Sequence, residues 1–195
     1  DSDKSGNGDM GTTFATDTTF PTNYTDGMNA GTGSFIAYCW KAAGATTSTN
    51  TSGTITSTVQ ANTAAGFSIV TFTSPNDSAD QTVGHGLSAS PDFIISKNRD
   101  TTYNWDTFHS GLSDTTKSLR LNTNEGLQSG RWGTVNDSII TTKNNYTHNS
   151  TNKYVFYVWH EVEGYSKFGT YVANGNSNGQ FIYTGFRPAI ILFKG

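Results

Sequence analysis

Gly66-Phe67-Ser68-Ile69-Val70-Thr71-Phe72-Thr73-Ser74-Pro75-Asn76-Asp77 decides the fold class. Phe67, Ile69 and Thr71 alternate with Ser68, Val70 and Phe72, the period of a pleated strand. Thr and Val are stiff at χ1 and suit extended backbone. Ser74-Pro75-Asn76-Asp77 then breaks the run with turn chemistry. The same grammar recurs outward in both directions. Gln81–Val83 is a short strand ending at Gly84-His85-Gly86, and Pro91–Asn98 carries Phe93, Ile94 and Ile95. Upstream, Thr54–Gln60 alternates with Ile55 and Val59 on one face. Ser34–Lys41 is apolar on both faces, which predicts a central strand buried on both sides. Downstream, strands are expected at Asn104–His109, Ser118–Asn122, Ser138–Thr142, Lys153–Val162, Ser166–Ala173, Gln180–Tyr183 and Pro188–Lys194. No window shows sustained helical periodicity with caps. The prediction is an all-β antiparallel sandwich, jelly-roll-like.

The first run has a second copy. Gly66-Phe67-Ser68, Val83, Gly86-Leu87, Pro91, Ile94-Ile95 and Lys97 match Gly164-Tyr165-Ser166, Ile182, Gly185-Phe186, Pro188, Ile191-Leu192 and Lys194, with an offset of 98 at the start and 97 at the end. The preceding aromatic strands match as well: Tyr38-Cys39-Trp40-Lys41 and Tyr157-Val158-Trp159-His160 lie 119 apart. The larger offset implies an insertion in the first copy, the low-complexity segment 42–65. The organisation expected is an extended segment over 1–33, or the end of a preceding module, followed by a duplicated β-sandwich over 34–195. The first copy continues as Asn98-Arg99-Asp100 where the second meets Lys194-Gly195, as in a longer array that has been cut or processed.

Composition narrows the function classes. Only 14% of residues are charged and the net charge is −3, so the basic footprint of a nucleic-acid binder is missing. No apolar run reaches the length of a membrane-spanning helix, and no membrane insertion is expected. Thr, Ser, Asn and Gly supply solubility without charge, a composition suited to life outside the cell. The one cysteine, Cys39, cannot form a disulfide within the chain and reads as a small buried hydrophobe.

Candidate sites are few. Asp1, Asp3, Ser5, Asn7 and Asp9 place oxygen donors at alternate positions around Gly6, the shape of a Ca²⁺ loop. The bidentate Glu such a loop needs is replaced by Thr12, and a solvated terminus is the commoner explanation. His85, His109, His148 and His160 have no metal-ligand spacing. Glu161 and Glu163 would share a strand face, which glycoside hydrolysis could use, but solvent-facing strand ends explain them more simply. Tyr103, Trp105, Arg131 and Trp132 lie in turn-rich stretches and are the candidates for stacking on sugar rings or contacting a partner. Trp40 and Trp159 occupy matching repeat positions and are core candidates. No catalytic residue is predicted.

The chain resembles a repeat domain of tail-fibre-like and other virion appendage proteins of marine phages. The resemblance rests on Ala65–Thr73, Thr82–Leu87, Pro91–Ile95, Trp105–Leu112, Tyr165–Tyr171 and Tyr183–Ala189, and covers roughly 31–195. It departs at Asn136–Lys153 and over 1–30. It implies a non-enzymatic virion structural protein (fibre, appendage or capsid decoration) at the particle surface. Its partners would be other virion proteins and further copies of itself, trimers being common in that context, with a host glycan or receptor as the outward contact. A lectin-like carbohydrate-binding module is the alternative, and a polysaccharide-degrading tailspike ranks third.

Overall fold

The computed structural model describes residues 40–42 and 46–195. The chain there is built from strands β1 (Ser48–Asn50), β2 (Ser57–Asn62), β3 (Phe67–Thr73), β4 (Gln81–Gly84), β5 (Phe93–Asn98), β6 (Asp106–His109), β7 (Trp132–Val135), β8 (Ile139–Thr142) and β9 (Lys153–Trp159), with one short 3₁₀ turn at Thr63–Ala65. They form two antiparallel sheets, one of six strands in the order β1-β2-β3-β9-β5-β6 and one of three in the order β4-β8-β7. The protein is an all-β antiparallel sandwich.

β9 occupies the middle of the large sheet. Trp159 faces Phe67 of β3 on one side and Phe93 of β5 on the other, and Val158 faces Ser68 and Ile94. This strand is apolar on both faces because both faces are covered. One side presents Tyr154, Phe156 and Val158. They pack with Val59, Val70, Phe72, Ile94 and Phe108 of their own sheet and with Val83, Ile140 and Trp132 of the small sheet. Phe156 is fully buried, edge-on to Phe72 at 4.9 Å and to Trp132 at 5.7 Å. Burying one such ring contributes about 2–3 kcal/mol. The Tyr154 hydroxyl lies deep in this layer, and burial pushes it up to about 12. The opposite face carries a second cluster: Phe67 and Trp159, flanked by Ile69, Phe93, Ile95 and Tyr157. Trp40, Ala42 and Phe168 pack on it.

Gly66 turns the chain into β3. It adopts φ +62°, and a Cβ there would stand 2.6 Å from the His160 carbonyl oxygen. The close approach lets Gly66 exchange backbone contact with the end of β9, where His160 N–H donates to the Gly66 carbonyl at 2.9 Å.

Several expectations are corrected. Ser118–Asn122 is not a strand. It runs beside β6 through Thr107 N–H to the Leu119 carbonyl and Leu121 N–H to the Trp105 carbonyl, but pairs only as isolated bridges. Residues 166–173, 180–183 and 188–194 carry no strand. The reason is visible in the sheet order: β9, the strand nearest them in sequence, is already hydrogen-bonded on both sides by β3 and β5. β9 also ends at Trp159, so Glu161 and Glu163 share no strand face. Strand Ser34–Lys41 lies outside the described residues except for Trp40 and Lys41, which are not in a strand, and Cys39 lies outside them too.

Candidate functional site

Tyr103 and Trp105 sit where β5 hands over to β6. Asn98 ends β5, and its side-chain oxygen accepts from the backbone N–H groups of Asp100 and Thr101, which shapes the loop. Lys97 turns back along it. Its ammonium donates to the Tyr103 carbonyl and stands 5.8 Å from the Trp105 ring centre. Trp105 N–H donates to Asn122, so the loop is tied to the 118–122 segment as well. The Tyr103 ring is 46% exposed and therefore open to a partner. Its hydroxyl accepts a hydrogen bond from Asn149 at 3.1 Å.

That bond joins a second loop. The chain tightens after β8: backbone N–H groups of Tyr146, Thr147 and His148 all point at the Lys143 carbonyl, and Asn145 adopts a left-handed φ of 64°. Asn tolerates this conformation better than most residues. Thr147 and His148 are buried, which leaves Tyr146 at the rim. The Arg131 guanidinium stacks on the Tyr146 ring, 3.8 Å from its centre, a planar cation on a π face. The loop holding Tyr103 and Trp105 and the loop holding Tyr146 are thus linked, and Arg131, just ahead of β7, stacks on the second.

Beneath Arg131 lies Asp106, buried at the start of β6. Burial pushes its carboxyl up, while the Arg131 and Arg120 guanidiniums and the Ser118 hydroxyl pull it down. Arg120 Nε stands 3.5 Å from the carboxylate, and its other end pairs with Glu125. The charge holds the base of the loops rather than facing outward.

Trp132 corrects the sequence-level grouping. It is fully buried, edge-on to Phe108 and Phe156, and its indole N–H donates to the Thr107 carbonyl at 2.9 Å. It begins β7 and points into the sandwich, so only its neighbour Arg131 reaches the surface. Tyr146 is the residue that sequence reasoning missed. The turn-forming run Lys143-Asn144-Asn145-Tyr146 was its signal.

The Asp1, Asp3, Ser5, Asn7 and Asp9 loop lies outside the described residues. Among the described residues no group of three or more His, Cys, Asp or Glu side chains is placed to hold a metal ion. Among them too, no helix is long and apolar enough to cross a membrane. Glu161 accepts from Lys167 at 2.6 Å, a pairing that holds its carboxyl below the ordinary range. His85 is buried at the end of β4, with Nε2 3.0 Å from the Asn136 carbonyl and Nδ1 accepting from Leu87 N–H. His109 lies edge-on to Phe93. An open groove on the outer face of the large sheet is lined by Thr56, Thr58, Thr71, Thr73, Arg99 and Lys153.

The chain belongs to the family described as a domain of unknown function (DUF7483), whose model matches residues 2–195. No curated protein and no solved structure is significantly similar to it.

Proposed function

We propose that this DUF7483 chain is a non-enzymatic structural module of a virion appendage that displays a contact surface for a host glycan or receptor. The observation that carries the reading is the pair of linked loops. A two-sheet scaffold holds Tyr103, Trp105, Arg131 and Tyr146 on loops braced by the Asn149–Tyr103 bond, the Lys97–Trp105 contact and buried Asp106. Rigid aromatic rings with a flanking guanidinium bind sugars and peptides at low entropic cost. The resemblance of Trp105–Leu112 and Tyr165–Tyr171 to virion appendage repeats supplies the setting, and self-association, as a trimer in that setting, follows from it.

The test is direct binding of the purified chain to panels of bacterial surface polysaccharides and to host cells. The expected result is saturable binding that Tyr103→Ala and Tyr146→Ala each weaken by tenfold or more. Equal binding by the variants and the parent protein would remove the loops from the account. Turnover of a polysaccharide by the chain would replace the reading with a tailspike.

A lectin-like module acting as a monomer is the second reading. The Arg131–Tyr146 stack favours it, since it sets a part-exposed aromatic ring beside a guanidinium. A monomer by light scattering that still binds glycan decides for it.

A further inference from the structure

The outer face of the large sheet changes character along its strands. Phe67 and Ile69 of β3 sit in the aromatic cluster, and the same alternation then presents Thr71 and Thr73. β9 runs antiparallel, so Trp159 and Tyr157 lie at the aromatic end and Lys153 lies opposite Thr73. Thr58 of β2 lies opposite Thr71 and shares its face. With Thr56, just ahead of β2, and Arg99, just past β5, these residues line an open groove of about 220 Å³.

The charge lining this groove has one sign. Arg99 and Lys153 contribute two cations, and no carboxylate lines it. Among the described residues, ion pairs engage Lys117, Arg120, Lys143 and Lys167, but neither Arg99 nor Lys153. Asp100, next to Arg99, is engaged elsewhere. Its carboxylate accepts from the Lys153 backbone N–H at 2.6 Å. Its charge also adds to the burial that raises the Tyr154 hydroxyl, on the inner face. Arg99 acts on the outer face instead: burial pushes the Tyr157 hydroxyl up, and the Arg99 guanidinium pulls it down. The backbone fixes the spacing of the two cations, since Arg99 N–H donates to the Lys153 carbonyl at 2.8 Å.

The hydroxyls are open to a ligand as well. Those of Thr56, Thr58 and Thr73 bond to no described residue, and that of Thr71 donates to the Thr58 carbonyl at 3.4 Å, which leaves its lone pairs able to accept. A guanidinium and an ammonium only donate, and they suit a carboxylate or a sulfate. Threonine hydroxyls also accept, and what they accept from is another hydroxyl, which a bare oxyanion lacks. Pockets for drug-sized ligands start at about 300 Å³. This smaller, open groove fits one residue of a longer chain whose neighbours run on into solvent.

We propose that the groove is a binding subsite for an acidic saccharide, with Arg99 and Lys153 on the sulfate or carboxylate and the threonine hydroxyls on the ring hydroxyls. The subsite goes beyond the loop reading, since it uses none of Tyr103, Trp105, Arg131 or Tyr146.

Isothermal titration calorimetry at low salt tests it with four probes: a sulfated oligosaccharide, its desulfated form, a uronate oligosaccharide and inorganic sulfate. At least one acidic oligosaccharide should bind, with the desulfated form and inorganic sulfate each weaker by about tenfold or more. Arg99→Gln and Lys153→Gln should each weaken that binding about fivefold, and the double variant about tenfold or more. Both side chains are exposed, so the variants should keep the fold, which thermal melting checks. Lys117→Gln, which removes a cation away from the groove, should bind like the parent. Any of four results would overturn the proposal: no binding of either acidic oligosaccharide, equal binding of the desulfated form or of inorganic sulfate, parent-like binding by the double variant, or a loss in Lys117→Gln as large as in Arg99→Gln.

Discussion

Truncating Trp132 to alanine removes a ring that is fully buried between Phe108 and Phe156 and deletes the donor to the Thr107 carbonyl. Large-to-small replacement of such an aromatic costs about 3–5 kcal/mol. Of this, leaving the Thr107 carbonyl without its donor accounts for about 1–3 kcal/mol. Trp132→Phe keeps most of the apolar contact and loses the hydrogen bond, so it isolates the second part at about 1–3 kcal/mol. With a urea slope of about 2 kcal/mol/M for a domain of this size, the alanine variant's midpoint falls by about 2 M and the phenylalanine variant's by about 1 M. Urea titration followed by far-UV circular dichroism measures both, since indole fluorescence changes with the substitution itself. An alanine variant within about 0.5 kcal/mol of the parent, the range of ordinary surface substitutions, would refute the core placement and return Trp132 to the list of contact residues.

Gly66→Ala combines a left-handed backbone with a Cβ 2.6 Å from the His160 carbonyl, and it should cost about 1–3 kcal/mol in the same titration. Gly175→Ala shares the positive φ but meets nothing within 4 Å, so it should cost less. Burial holds His85, His109 and His148 below the usual imidazole value of about 6.5. Their neutral forms therefore contribute stability that is complete above that value and is lost as pH falls through the depressed values, because the unfolded chain takes protons the folded one resists. Thermal melts from pH 7.5 to 4.5 should show the loss, and His85→Gln should flatten it. Light scattering of the purified chain should give a closed oligomer, and a monomer would shift weight to the lectin-like reading.

The strands legible in the sequence were those whose side chains alternate between turn residues. β3, β4, β5, β6, β8 and β9 each begin within two residues of the position their pattern predicts. β7 was not legible. Arg131-Trp132-Gly133 looks like a turn, but Gly133 is there because the Thr141 side chain presses on the strand, and the pairing with β8 shifts register between Trp132 and Val135. β1 has no apolar residue to announce it: Ser48, Thr49 and Asn50 pair with β2 through backbone alone. Ser118–Asn122 shows the opposite failure, since its alternation is real but only scattered bridges form. At the site, exposed Tyr103 and half-buried Arg131 could be read from their turn-rich surroundings. Trp132 could not be separated from Arg131, because one residue of β periodicity moves a side chain from solvent to core. Tyr146 depended on a tertiary partner, Arg131, fifteen residues upstream.

β9, sequestered between β3 and β5, organises the sandwich that holds the linked loops. Residue-resolved amide hydrogen exchange tests it most directly. The account predicts that backbone amides of Tyr154–Trp159 exchange as slowly as those of Ser68–Phe72 and Ile94–Lys97, the three strands opening as one unit. Exchange of the β9 amides orders of magnitude faster than those of β3 would contradict it, because an edge or unpaired β9 could not brace the loops on either side.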